Sequence, residues 1–84
     1  MTGTSQDKPV VWVSGASRGI GRAIACSLAQ AQHRVVVNYR CAADAANAVV
    51  ADILAAGGEA LAVQADVTSP EAIADGLKQV EAHW

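Results

Sequence analysis

Ser14-Gly15-Ala16-Ser17-Arg18-Gly19-Ile20-Gly21 is the segment of this 84-residue sequence whose residue types and spacing most suggest chemistry. Three glycines at Gly-x-x-x-Gly-x-Gly spacing follow the apolar run Val10-Val11-Trp12-Val13 and open a helical pattern. Each has a separate task. Gly15 permits a sharp exit from a strand, Gly19 removes a side chain that would hold a diphosphate off the backbone, and Gly21 lets the helix pack closely on a sheet. A helix starting there aims unpaired N–H groups and the positive end of its dipole at an anion. The chemistry suggested is binding of a phosphate-bearing ligand. No Gly-Lys-Ser/Thr follows, so the turn does not support nucleotide hydrolysis.

Such a turn works only if a strand delivers it and a helix leaves it. Val10–Val13, bounded by Pro9 and by Ser14-Gly15, reads as a strand buried on both faces, as parallel sheets require. The following helix carries Ile20, Ile24, Ser27, Leu28 and Ala31 on one face. A second strand is predicted over Arg34–Tyr39. A second helix has Ala46, Val49, Val50, Ile53 and Leu54 on a stripe and is stopped by Gly57-Gly58. A third strand covers Ala60–Ala65. Ser69 as cap, Pro70 in the first turn and Glu71 near the positive helix end then start a third helix, with Ile73, Leu77, Val80 and Trp84 as its apolar face. The order is β-α-β-α-β-α, and short links imply parallel strands with right-handed crossovers. The expected sheet has strand order 3-2-1, helices on both faces and the first strand as an unprotected edge. The first helix lacks a glycine at its end, so Gln32 in a left-handed conformation would bring strain of order 1 kcal/mol.

Composition narrows the classes. The chain is 52% hydrophobic and 17% charged, with no Phe, one Tyr and two Trp, so Ala and Val must build the core. Net charge is −2, and Lys8, Arg18, Arg22, Arg34, Arg40 and Lys78 are scattered; no stripe suits nucleic acid. Cys26 and Cys41 match neither a metal pair nor a redox Cys-x-x-Cys, and read as free thiols in a reducing cytosol. Residues 1–8 form a polar leader without an apolar signal core, and no apolar run is long enough to span a bilayer. A soluble, cytoplasmic chain is expected, with residues 9–84 as one domain.

Ser-Gly-Ala-Ser-Arg-Gly-Ile-Gly resembles the Thr-Gly-x-x-x-Gly-x-Gly signature of the short-chain dehydrogenase/reductase family. Asn38-Tyr39-Arg40 and Ala65-Asp66-Val67 resemble the same family's second and third strand ends, and Val10 to Trp84 is similar to bacterial 3-oxoacyl thioester reductases of fatty acid metabolism. Ser14 in place of Thr keeps the hydroxyl. The resemblance implies an α/β fold, the N-terminal half of a Rossmann-type doubly wound parallel sheet. It implies a dinucleotide cofactor and a homo-oligomeric, tetrameric parent. The cofactor-binding set it implies is Gly15, Ser17, Arg18, Gly19, Ile20, Gly21, Tyr39, Arg40, Asp66 and Val67.

At the second strand's end a carboxylate would bond the ribose hydroxyls of NAD and repel the 2′-phosphate of NADP. Members using NAD carry Asp where Tyr39 stands, and Arg40 follows. Arg18 approaches the same phosphate from the glycine turn, and two guanidiniums on one phosphate favour NADP. Each arginine alone also reads as a solvated surface charge. Asp66 resembles the family aspartate that accepts from the adenine amine, with Val67 flanking the ring; Asp66 equally reads as a cap on the turn into the third helix.

Carbonyl reduction in this family uses a Tyr, a Lys four residues later and a Ser. Four residues after Tyr39, the sole Tyr, stands Ala43, and no Tyr-x-x-x-Lys occurs. The expectation is an N-terminal, cofactor-binding part of a reductase, cut before its catalytic residues; the other reading is a stand-alone, non-catalytic nucleotide-binding or interaction module.

Overall fold

A computed structural model describes residues 8–84; apart from Lys8, the polar leader lies outside the described residues. The elements are β1 (Val10–Ser14), α1 (Gly19–Gln30), β2 (Arg34–Tyr39), α2 (Ala43–Ala55), β3 (Glu59–Gln64) and α3 (Pro70–His83). All three strands are parallel, with β2 in the middle. The register stacks Val11, Val35 and Ala60 in one row and Trp12, Val36 and Leu61 in the next. Successive rows point to opposite faces. Val11, Val13, Val35, Val37, Ala60 and Ala62 therefore meet α1 and α2, while Trp12, Val36, Leu61 and Val63 meet α3.

Small residues decide which helix faces are buried. Ala25 and Ala29 of α1 are buried, and Gly21 precedes them at the same four-residue step. The expected stripe of Ile20, Ile24, Ser27, Leu28 and Ala31 is thereby corrected: Ile20 is 81% and Ile24 46% exposed, Ser27 and Ala31 are exposed, and Leu28 lies at the core margin. A helix approaching a valine sheet closely presents its least bulky ridge. In α2, Ala46, Val49 and Ile53 are buried as expected and Val50 half-buried, but Leu54 is turned out to 54% exposure. In α3, Gly76 and Val80 are buried whereas Leu77 is exposed. A Cβ at Gly76 would lie 2.8 Å from Trp12 Cη2 and 3.0 Å from Val63 Cγ1. Gly76 thus makes the room that the indole of Trp12 fills. With Val10, Val36, Val80 and Trp84, Trp12 and Leu77 border a shallow groove of about 470 Å³ beside the outer edge of β1.

α1 and α2 end in the same way. The His33 N–H donates to the Leu28 carbonyl and the Gln32 N–H to that of Ala29, both at 3.1 Å. The Gly58 and Gly57 N–H groups repeat this pattern on Ile53 and Leu54. Both are Schellman closures, which need a left-handed residue after the cap. Gly57 supplies φ 87° freely, whereas Gln32 takes φ 70°, where its Cβ crowds the following carbonyl. Gln32→Gly should raise stability by about 1 kcal/mol or somewhat less, since glycine also gains freedom in the unfolded chain. The Tm should rise by a few degrees, at about 4–8 °C per kcal/mol for a domain of this size.

At the N-terminal edge of the sheet, Glu59 lies 3.1 Å from Lys8 Nζ and 3.6 Å from Arg34 Nε. The Arg34 guanidinium also stands 6.0 Å over the Trp84 ring, tying the end of α3 to this group. The bond from Lys8, followed by the charges of Lys8 and Arg34, holds the Glu59 carboxyl below its ordinary range despite partial desolvation. A carboxyl whose folded pKa is depressed contributes stability that is complete above its unfolded pKa and is lost as pH falls through the folded one. Unfolding followed by circular dichroism should therefore show stability falling as pH drops below 4.5. Glu59→Gln should flatten that acid limb and cost stability near neutrality.

Candidate functional site

The C-terminal edge of a parallel sheet gathers the loops that leave its strands. Here it brings together the glycine turn after β1, Tyr39-Arg40 after β2 and Asp66-Val67 after β3. Gly15 and Gly19 have φ values of 65° and 63°, in the left-handed region that favours glycine. A Cβ at either would meet nothing within 4 Å, so the turn faces open space. A Cβ at Gly21, by contrast, would run into the carbonyl of Gly15 and lie 3.0 Å from Ala16 Cα. Its tightest approach is to the backbone of the turn that leaves β1, at the head of the small-residue ridge of α1. Ala16, fully buried, pins the turn by donating its N–H to the Asn38 carbonyl at 3.3 Å.

Three helices start at this edge, and they are finished differently. The Ser69 hydroxyl of α3 accepts from the Ala72 N–H at 3.2 Å, with Glu71 in the first turn. α2 has Asp44 in its first turn. α1 has neither a side-chain cap nor an acidic residue in its first turn, and its N-cap is Arg18 in extended backbone. The N–H groups that open α1 and its dipole are thus left for an external acceptor. Arg18 and Ile20 are exposed beside them, with Ser17 half-buried.

On the β2–β3 side, Arg40 Nη2 lies 3.6 Å from Asp66 Oδ2, with the Arg40 side chain 75% exposed. Gln64 Nε2 donates to the Arg40 carbonyl at 3.2 Å. Asp66 Oδ1 accepts from the Thr68 N–H at 2.9 Å and from Thr68 Oγ1 at 2.6 Å. These two bonds, with Arg40 adding a smaller electrostatic part, hold the Asp66 carboxyl below its usual range. The turn-capping reading of Asp66 is the one visible in the structure, and it occupies one oxygen. Val67 is exposed at 47%. Tyr39 is half-buried and packs on the α1–α2 side of the core. Arg22, read only as a scattered charge, pairs with Asp52 at 2.6 Å.

Sequence reasoning assigned no role to Asn38, which is 2% exposed. Its Nδ2 donates to the carbonyls of Val63 and Ala65, each at 3.2 Å. The available signal was a polar residue closing a run of three valines in the middle strand. Cys26 and Cys41 are free thiols, and no group of three His, Cys, Asp or Glu among the described residues could hold a metal.

Comparison with known proteins agrees with this geometry. Residues 9–84 match the family model for short chain dehydrogenase. A 3-oxoacyl-[acyl-carrier-protein] reductase from Synechocystis is 49% identical over 75 residues, 89% of this chain and 30% of its own. The crystal structure of a dehydrogenase/reductase from Sinorhizobium meliloti superposes with a TM-score of 0.82 at 45% identity, over 90% of this chain and 30% of that one. A metagenomic short-chain oxidoreductase crystallised in complex with NADP gives 0.80 at 41% identity, covering 95% and 36%. The chain spans about a third of the length of such relatives. A glycine turn on an uncapped helix, at the C-terminal edge of a parallel sheet, is thus joined to a match along nearly all of this sequence, and the chain belongs to the short-chain dehydrogenase family.

Proposed function

We propose that this chain is the NADP(H)-binding portion of a reductase that converts a carbonyl, in a 3-oxoacyl thioester or a similar compound, to a hydroxyl. The observation that carries the reading is the unfinished start of α1. Of the three helices that begin at this edge, α1 alone has neither an acidic first turn nor a side-chain cap, and it follows a turn whose glycines face open space. That arrangement fits a diphosphate, which would fill the space a side chain at Gly19 would take. In this reading Gly15, Ser17, Arg18, Gly19, Ile20 and Gly21 hold the diphosphate, Tyr39 and Arg40 face the ribose, and Asp66 and Val67 face the adenine.

The bound cofactor supplies the hydride. The residues of this chain bind and orient it. Arg40 and Arg18 offer charge-assisted bonds to the 2′-phosphate, and Tyr39 brings no carboxylate to repel it. The NADP complex of the metagenomic relative supports this choice. The identity to the Synechocystis enzyme supports the thioester class.

A charge-assisted bond is worth about 1.5–3 kcal/mol, so Arg40→Ala should weaken NADPH by about tenfold or more. NADH, lacking the phosphate, should bind as before. Tyr39→Asp should shift preference further towards NADH, because it adds repulsion for one ligand and a ribose partner for the other. Raised salt should weaken NADPH more than NADH. Titration of both cofactors against wild type and the two variants at low and high salt checks all three; equal weakening of both by Arg40→Ala would reassign Arg40 to the fold. Because the 84 residues contain no Tyr-x-x-x-Lys pair, we expect no NADPH oxidation when they are incubated with a 3-oxoacyl thioester. Turnover above a denatured control would refute that.

A further inference from the structure

Asn38 is out of place by every local rule. Asparagine is disfavoured in strands, yet it sits in the middle strand directly after Val35, Val36 and Val37, all fully buried. Its register partners are Ser14 and Val63. A fourth apolar residue would pack there without a desolvated amide. A buried N–H donor is tolerated only when it is paired, and Asn38 places its Nδ2 across the sheet, on the carbonyls of Val63 and Ala65.

The consequence lies one residue further on. β3 ends at Gln64, so the Ala65 carbonyl belongs to the departing chain. The Ala65 N–H is fixed by the Tyr39 carbonyl at 3.0 Å, and its C=O by the Asn38 amide. Both ends of Ala65 are thereby tied to β2. Asp66 follows at once, its carboxylate set by Thr68 and its own carbonyl accepting from the Ser69 N–H at 2.9 Å. The main-chain carbonyl of Asn38, meanwhile, holds Ala16 in the glycine turn. One residue of β2 therefore sets the spacing between the turn after β1 and the turn after β3.

We propose that Asn38 is the positioning residue for the adenosine end of the cofactor site. Its side chain holds the Ala65–Asp66 peptide so that Asp66, Val67 and Arg40 are presented together at a fixed distance from the glycine turn. This rests on the dinucleotide reading above. A ligand gripped at two places binds well only when the two grips are correctly spaced, and loss of that spacing costs affinity without removing any contact residue.

The test compares wild type with Asn38→Asp, which puts acceptors where the amide donates, and Asn38→Leu, which is similar in size and donates nothing. Val36→Ala is the control, a cavity two residues back on the same strand face. 2′,5′-ADP is titrated by calorimetry at a temperature where far-UV ellipticity shows each chain folded, and amide hydrogen exchange is followed on the ligand-free chains. Asn38→Asp and Asn38→Leu should each weaken 2′,5′-ADP by about tenfold or more. They should also speed exchange at Thr68 and Ser69 well beyond any change in α1. Val36→Ala should lower the Tm while leaving affinity within about twofold, because a cavity that leaves the bonds of Asn38 in place acts on the folded fraction alone. Should one Asn38 variant fail to fold, the other carries the comparison. The proposal is overturned if the Asn38 variants bind 2′,5′-ADP as the control does, or if their exchange rises evenly along the chain. Wild type that binds neither 2′,5′-ADP nor NADPH would overturn the cofactor reading itself, and this inference with it.

Discussion

Because β2 has β1 along one edge, β3 along the other and helices over both faces, its backbone groups are paired with the neighbouring strands and the turns that adjoin them, and its valines pack in the core. Val35, Val36 and Val37 accordingly lose all contact with solvent. The other elements are placed by reference to this strand. β1 and β3 take their register from it, and the helices approach it as closely as their smallest residues allow. The glycine turn hangs from the Asn38 carbonyl and the end of β3 from the Asn38 amide. A fixed middle strand therefore means a fixed geometry at the sheet's C-terminal edge.

The two edges of the sheet are finished in opposite ways. At the N-terminal edge, Lys8 and Arg34 each pair with Glu59, and the Arg34 guanidinium stands over the Trp84 ring. Glu59 there bridges two cations of the chain and helps hold the strand starts together. At the C-terminal edge, α2 and α3 carry Asp44 and Glu71 in their first turns and Ser69 caps α3, while α1 has neither an acidic first turn nor a side-chain cap. In the proposed reading the open start is where the diphosphate would sit, stabilising the helix as well as being held by it.

Much of this was legible in the sequence, because it depends on local rules. The glycine turn, the valine run of β2, the Ser69-Pro70-Glu71 helix start and the strained position of Gln32 each follow from residues a few places apart. The helix faces were harder. Ile20, Ile24, Leu54 and Leu77 fall on plausible apolar stripes, but the approach of helix to sheet favours Ala25, Ala29 and Gly76, and no period in hydrophobicity reports how close two elements come. Asn38 was missed for a related reason. Its partners lie 25 and 27 residues away, so only the assembled sheet shows what the amide holds. The pairing of Arg40 with Asp66 was likewise hidden, since each was read alone and the pair exists only because β2 and β3 end side by side.

That pairing bears on how a carboxylate can stand beside a site for an anion without weakening it. Asp66 has its Oδ1 saturated by two donors from Thr68, and its Oδ2 faces Arg40. Its charge is therefore directed at its own neighbours. In the proposed reading the exposed ion pair with Arg40, weak because water screens it, opens when a 2′-phosphate arrives. Arg40 then exchanges one anion for a more highly charged one, and Oδ2 is released to accept from a neutral donor such as an exocyclic amine. The first exchange keeps Arg40 on an anion, and the second gives up only a solvent-screened charge pair for a neutral hydrogen bond, so little is lost in making them. A ligand without the phosphate leaves this screened pair as it is and gains nothing from Arg40. Selection for the phosphate would then rest on Arg40 as a contact that only the phosphorylated ligand can use, with the absence of a carboxylate at Tyr39 removing the repulsion that would oppose it.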